Sequence, residues 1–342
     1  MKLFPFKFFT TTIVSILLGI TIEADQKPVE TIAFGSCLKQ SRPQPIWNSV
    51  LAKQPDVFLL LGDNIYGDTR DMQKLKDKWD VFSSVPGFKK LRQTSRVLAI
   101  WDDHDYGEND AGKEFPKKAE SQNIFLDFLS EPANTFRRKT PGIYDSLIVG
   151  PPGKRVQFIL LDTRYFRTSL KRSKVRESGK GPYAPNDSTE AEILGRDQWV
   201  WLEKTLSEKA ELRIIASSIQ LVSTTHGWET WGNFPQERKK LLEMLKKQNS
   251  NGTIILSGDR HSSEISKLEG VLPYPLFDIT SSAMNQRLRP KFEENIYRMG
   301  KRYFDENFGL LKIDWLPNGP KVHASIQDIN GEPVIEYELG VY

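Results

Sequence analysis

At 342 residues the chain is long enough for one large α/β domain or two ordinary ones. Apolar residues make up 38% and charged residues 27%, globular proportions that exclude a disordered, collagen-like or disulfide-stapled protein. The net charge is only +4, and Lys and Arg are spread along the chain, so composition points to no nucleic-acid partner beyond a possible substrate.

The chain opens with Lys2 and Lys7 around the start of an apolar run over residues 8–22 (FFTTTIVSILLGITI). That run is too short and too Thr-rich for a membrane span, which needs ~20 apolar residues. It has the form of a secretory signal peptide with Ala24 as the cleavage residue. Residues 1–24 are therefore expected to be a signal peptide, and residues 25–342 a single domain placed in the periplasm or secreted. Export gives weight to the cysteine count. Cys37 is the one cysteine and cannot form an intramolecular disulfide. Two readings stand beside each other: a buried inert thiol, or a thiolate held by a metal.

Beyond the signal, strands and helices alternate. Residues 29–35 (VETIAFG) predict a strand ending in a Gly-Ser-Cys turn, and a helix containing Pro45 and Trp47 runs to near Lys53. Residues 56–61 (DVFLLL), 96–101 (RVLAIW) and 155–162 (RVQFILLD) are continuous apolar runs, as in strands buried on both faces of a sheet. Helices are predicted over residues 72–79, 121–130, 195–207 and 237–247, and further strands over 212–220 and 252–256 (GTIIL). Residues 164–187, rich in Arg, Lys, Gly, Ser and Pro, read as a long loop. In the last third, residues 276–281, 309–315, 321–329 and 334–341 alternate apolar and polar positions between turns, which predicts antiparallel strands with a hairpin at Asp-Ile-Asn-Gly. One large α/β domain is the expectation.

The chemistry-bearing residues collect just past the ends of buried strands, where open α/β sheets build their sites. Gly35-Ser36-Cys37 follows the first strand, and Gly62-Asp63-Asn64-Ile65-Tyr66-Gly67-Asp68 the second. Trp101-Asp102-Asp103-His104-Asp105 follows the third, with Asn109-Asp110 beyond it, and Ser257-Gly258-Asp259-Arg260-His261 follows the GTIIL strand. Brought to one sheet edge, these carboxylates would repel one another unless a cation sat among them. A metal site is the natural explanation for four such clusters.

The ordered set Gly-Ser-Cys, Gly-Asp-x-Ile-Tyr, Trp-Asp-Asp-His-Asp, Leu-Asp-x-Arg (Leu161 to Arg164) and Ser-Gly-Asp-x-His resembles the alkaline phosphatase D-like (PhoD-like) family of calcineurin-like metallophosphoesterases, over roughly residues 30–285. The resemblance implies a four-layer α/β/β/α sandwich of mixed sheets. It implies that Cys37, Asp63, Tyr66 and His261 bind Fe3+, an anion-rich set suited to a trivalent ion. Asp63 would bridge to a second site completed by Asp103 and Asp259 and filled by one or two Ca2+, which favour oxygen ligands. Gln220, His226 or water would complete that second site. In the wider superfamily the late motif carries a second His where this chain has Asp259. Longer members of the family also carry an extra N-terminal β domain, so this chain reads as a short form.

The implied activity is hydrolysis of phosphate monoesters or diesters through in-line attack by a metal-bound hydroxide. His104 would contact the phosphoryl oxygen or protonate the leaving group, with Asp105 orienting it. Arg164 would pair with phosphate oxygens. Arg167, Lys171, Arg172 and Lys174 read as a solvated face that draws anions. The expected partner is a small or polymeric phosphoester. Two alternatives stand beside it: a phosphodiesterase acting on phospholipid or polymer diesters, and a non-catalytic metal-binding module.

Overall fold

The structure, a computed structural model, describes residues 27–248, 252–290 and 292–341. The expected signal segment, residues 1–24, lies outside the described residues. In chain order the elements begin β1 (Thr31–Gly35), α1 (Ile46–Ala52), β2 (Val57–Leu61), α2 (Met72–Ser84), α3 (Pro86–Thr94), β3 (Arg96–Ile100), α4 (Asp103–Tyr106) and α5 (Lys118–Phe128). Next come β4 (Asp145–Val149), β5 (Val156–Leu160), α6 (Gly195–Leu206), β6 (Leu212–Ala216), α7 (Pro235–Lys247) and β7 (Thr253–Ser257). The chain closes with β8 (Ser263–Leu268), β9 (Leu276–Thr280), β10 (Arg298–Tyr303), β11 (Asn307–Leu316), β12 (Gly319–Asp328) and β13 (Pro333–Val341).

These strands form two mixed sheets. One has the order β13-β12-β11-β1-β2-β3, the other β10-β8-β9-β7-β6-β5-β4. Parallel pairing joins β1 to β2 and β2 to β3 in the first sheet, and β5, β6, β7 and β9 in the second. The continuous apolar runs of the sequence fall on these parallel strands, buried throughout in β2, β5, β6 and β7 and only toward its carboxyl end in the edge strand β3. The period of two sorts their side chains between layers. Phe158, Leu160, Ile214, Ala216, Ile254 and Leu256 share one buried cluster with Ile32, Phe34 and Leu59 of the other sheet. Their neighbours Ile159, Ile215 and Ile255 pack instead with Trp199 and Leu202 of α6 and Leu241 and Leu245 of α7. Over the first sheet, Trp47, Phe82, Phe88 and Phe128 from α1, α2, α3 and α5 stack into an aromatic layer, with Phe82 and Phe88 centroids 4.3 Å apart. Such pairs contribute about 0.5–1.5 kcal/mol each beyond burial.

The differences from the sequence reading have local causes. Helix α2 runs past Trp79 to Ser84 and is followed at once by α3, which the sequence reading passed over. Pro86 separates the two helices. It forces Val85 into an extended conformation and then opens the next helix at its first turn. Strand β9, expected in an antiparallel set, is parallel to β7 and antiparallel only to β8. The unpredicted strands include β4 and β10, short edge strands of the second sheet, and β8. Strand β8 hides behind buried polar residues: Glu264 binds Arg298 and Asn295, and Ser263 donates to Asn307. The loop at residues 164–187 is irregular apart from a bridge between Arg172 and Tyr183, but its start is not solvated. Arg167, read as part of an exposed basic face, is fully buried.

Candidate metal centre

The carboxyl ends of the parallel strands in both sheets meet at one place. Cys37 leaves β1, Asp63 leaves β2, Asp102 and Asp103 leave β3, and Asp259 and His261 leave β7. Backbone and side-chain bonds sew the two sheets together here. The Ser36 hydroxyl donates to the Ser281 carbonyl at 3.1 Å and the Met284 N–H to the Ser36 carbonyl, while within the first sheet the Leu38 N–H donates to the Asp63 carbonyl at 2.8 Å.

The backbone at this junction is unusual. Cys37, Asp63, Asp259 and His261 all adopt left-handed conformations, with φ of 57°, 51°, 65° and 50°. Each costs roughly 1–3 kcal/mol for a residue with a Cβ, and such clusters mark functional sites. The crossing is tight as well. Gly62 has φ +97°, and a Cβ there would fall 2.5 Å from Asp102 Cβ. Only glycine lets the Asp63 loop lie against the end of β3.

Three sets of donor atoms form, each within 4.8 Å: Cys37 with Asp63 and His261, Asp63 with Asp103 and His104, and Asp63 with Asp102 and Asp259. Asp63 belongs to all three, the position a bridging ligand needs. Tyr66 joins the first set, its hydroxyl donating to Asp63 Oδ2 at 3.3 Å and lying 3.4 Å from His261 Nε2. Nδ1 of His261 bonds the Gln286 carbonyl, which leaves Nε2 unprotonated and turned toward the set. Asp63 Oδ1 and Asp102 Oδ2 are buried without a hydrogen-bond partner. All six expected ligands, Cys37, Asp63, Tyr66, Asp103, Asp259 and His261, are therefore brought together.

Without a cation this arrangement is electrostatically costly. Burial pushes the Cys37 thiol up to about 11, and burial with neighbouring anions holds Asp63, Tyr66 and Asp259 well above their usual ranges. Asp102 is pushed up to about 7, chiefly by burial, with Arg164 only partly offsetting it. Burial acts the same way on Asp103, but Arg164 and His104 outweigh it and hold that carboxyl below the usual range. Groups that coordinate as anions gain most from a multivalent ion placed among them. The donor set thus fits a metal centre: thiolate, phenolate and imidazole on one side, carboxylates with His104 at their edge on the other.

Asp102 was not among the expected ligands. The signal for it was the doubled acid after Trp101, of which the second alone was assigned. Its Oδ1 accepts from Ser218 and Arg164, leaving the unpartnered Oδ2 with Asp63 and Asp259.

His104 stands at the edge of the centre, its ring 4.4 Å from that of Tyr66. The expected orienting partner, Asp105, is engaged elsewhere. It accepts from the backbone N–H groups of Asp102 and Asn64 and caps α4. Asp68 takes that role instead, with Oδ1 2.7 Å from His104 Nδ1, which turns Nε2 away from Asp68. Burial alone would lower the His104 pKa, but Asp63, Asp103 and Asp68 push it up to about 11.

Arg164 is corrected more strongly. It does not face the cleft: it is fully buried, donating from Nε to Asp102 at 2.6 Å and from Nη1 to Glu229 at 2.6 Å. Arg167 pairs with the other Glu229 oxygen at 2.9 Å and donates to the Asp110 carbonyl. The Asp110 N–H donates to Asp103 at 2.6 Å, so this network reaches a ligand on each side. Of the groups considered for the second site, Gln220 donates to Glu264 and Thr280, and His226 Nδ1 accepts from the Trp228 N–H at 3.0 Å. Glu229 gave no sequence signal; it matters only because the fold brings it to two arginines.

A cleft of about 220 Å³ opens onto Asp103, His104, Asp259 and His261. The family model for PhoD-like phosphatases matches residues 32–286. Alkaline phosphatase D of Bacillus subtilis (strain 168) is 24% identical over 279 residues, covering 70% of this chain and 47% of that protein. The chain thus spans about half the length of that curated relative. A structure of PhoD superposes with a TM-score of 0.66 at 17% identity, over 93% of this chain and 73% of that one. The purple acid phosphatase PPD1 from yellow lupin (Lupinus luteus) seeds gives 0.64 at 13% identity, over 92% and 54%. At these identities the two likenesses establish the fold. The family match runs from β1 through β9 and contains every strand-end donor from Cys37 to His261, and the chain belongs to the PhoD-like phosphatase family.

Proposed function

We propose that the protein is an exported, metal-dependent phosphoesterase that hydrolyses phosphate monoesters, diesters or both. The observation that carries this reading is the convergence of three donor sets on one shared carboxylate, Asp63, beside an open cleft and a histidine. Cys37, Asp63, Tyr66 and His261 would hold Fe3+. Asp63, Asp103 and Asp259 would hold Ca2+, with Asp102 as a further oxygen donor. When bound, such cations polarise the phosphoryl oxygens and make water at the site more acidic.

The chain's own residues supply the rest. Asp63 keeps the two halves of the centre in register. His104 presents Nε2 to the cleft and gives its proton to the leaving alkoxide, while Asp68 holds the ring through Nδ1. Arg164 acts from beneath, steadying Asp102 rather than touching substrate. The basic and Thr-rich N-terminal segment supports export, with residues 25–342 working as one unit. Among the described residues no helix is long and apolar enough to cross a membrane.

The test is initial rates on p-nitrophenyl phosphate and bis(p-nitrophenyl) phosphate at alkaline pH, with protein loaded with iron and calcium. Turnover of either supports the reading, and their ratio decides between monoesterase and diesterase. Thiolate and phenolate on Fe3+ should also colour the protein. Loaded protein that cleaves neither ester would leave a metal-binding module as the better account.

A further inference from the structure

The lining of the cleft divides by chemistry. Most of it is acids, an amide, two histidines and Arg260, but Trp228 and Leu288 are apolar. A phosphoryl group has no use for apolar walls; they contribute only when an apolar group covers them and displaces water. At about 220 Å³ the cleft is smaller than the roughly 300 Å³ at which sites begin to enclose drug-sized ligands. It has room for the phosphoryl group and the first part of whatever is esterified to it.

Both walls are held in place. The Trp228 N–H donates to His226 Nδ1 at 3.0 Å, and the Arg176 guanidinium lies 5.6 Å from its ring centroid. The long loop clamps the preceding turn: the Gly181 N–H donates to the His226 carbonyl at 2.9 Å, and the Tyr183 N–H to the Gly227 carbonyl at 2.8 Å. A Cβ at Gly181 would fall 2.2 Å from the Gly227 oxygen and 2.5 Å from the Trp228 nitrogen, so glycine is required for this approach. Leu288, 44% exposed, is tied through its N–H to the His261 carbonyl at 3.3 Å, beside a ligand.

We propose that Trp228 and Leu288 form an apolar subsite for the organic group of the substrate, selecting phosphoesters of aromatic alcohols over those of small polyols. The proposal rests on the phosphoesterase reading for its substrate and on the cleft's lining for its selectivity. Aromatic stacking is worth ~1–3 kcal/mol by alanine substitution, about fivefold to 150-fold in affinity.

The experiment titrates phenylphosphonate and methylphosphonate into the metal-loaded full chain by calorimetry, in wild type, W228A, W228F and L288A. Wild type should bind phenylphosphonate at least about tenfold more tightly. W228A should remove most of that preference, W228F should keep most of it, and L288A should remove part. Leu288 is exposed enough that its truncation leaves the fold secure. Equal weakening of both ligands in W228A would make Trp228 a structural residue and overturn the proposal, as would an unchanged preference or no phosphonate binding by wild type. The two readings separate on turnover of phenyl phosphate and glycerol phosphate. A Trp228-dependent preference in a protein that cleaves neither keeps the subsite and sinks the hydrolase. Cleavage of both with no Trp228 dependence does the reverse.

Discussion

Replacing Arg164 by methionine tests the buried network directly. The side chain is fully buried and, among the described residues, is the one cation paired with Asp102, whereas Glu229 keeps Arg167. Methionine fills similar space without charge, so the main effect is an uncompensated carboxylate in the interior. Breaking one side of a buried ion pair costs about 3–5 kcal/mol. With an unfolding entropy of ~2.1 cal/mol/K per residue, a domain of roughly 300 residues loses about 5–8 °C in Tm for that amount. The assay is thermal unfolding by circular dichroism, with E229Q and the R164M/E229Q pair completing a cycle. Residues sharing one network should couple by ~0.5–3 kcal/mol, so the double variant should lose less than the sum of the singles. R164K should recover only part of the loss, since an ammonium cannot span two carboxylates as a planar fork does. An R164M protein within 1 °C of wild type would refute the argument. So would a variant of normal stability with a raised KM, which is the signature of an arginine that binds phosphate.

Asp63→Asn should lose the metals of both halves of the centre together and lower kcat more than about a hundredfold, beyond the 10–100-fold typical of a residue behind a ligand; metal analysis beside initial rates checks this, and full activity would contradict the shared-carboxylate centre. Asp68→Asn should lower kcat about 10–100-fold with little change in KM, because it frees the His104 ring while leaving the metal donors in place. The same loss from a structural defect would appear as a lowered Tm. Removing metal should make stability more strongly pH-dependent. The folded-state values of Asp102 and Asp105 lie at about 7, above the ordinary 3.8, so the folded state holds more protons than the unfolded chain. Stability of the chelated protein should therefore fall as pH rises from about 4 through 7, and added metal should flatten the fall at Asp102. Thermal melts at pH 5 and pH 8, with and without chelator, measure it; a chelated protein more stable at pH 8 would reverse the sign and refute the account.

Much of the fold and centre could be read along the chain because the signals are local. A buried parallel strand is a short apolar run, and a site at its end is a Gly or Trp followed by acids within the next few residues. That is why β1, β2, β3, β5, β6 and β7 are legible along the chain, together with the four strand-end clusters; the choice of Cys37, Asp63, Tyr66, Asp103, Asp259 and His261 within those clusters rests on the resemblance to the PhoD-like family. Strands β4 and β10 lacked that signal because edge strands need no apolar run, and β8 because its buried groups are satisfied by distant polar partners.

Which charged group faces which was decided only by tertiary packing, within one sheet for Asp68 and His104 and between the two sheets for Arg164 and Asp102. Arg164 lies 62 residues from Asp102 and 65 from Glu229, and Asp68 lies 36 from His104. An arginine just beyond a strand end can face a cleft or turn inward, and its sequence position is the same in both cases. The choice depends on whether the packed interior offers carboxylates at hydrogen-bond distance to a guanidinium that has left water. Here it offers two. The sequence therefore determined the residue types and their places at the strand ends. The tertiary structure decided that Asp68 rather than Asp105 turns His104, that Asp102 keeps an oxygen for the centre, and that Arg164 supports the site from below.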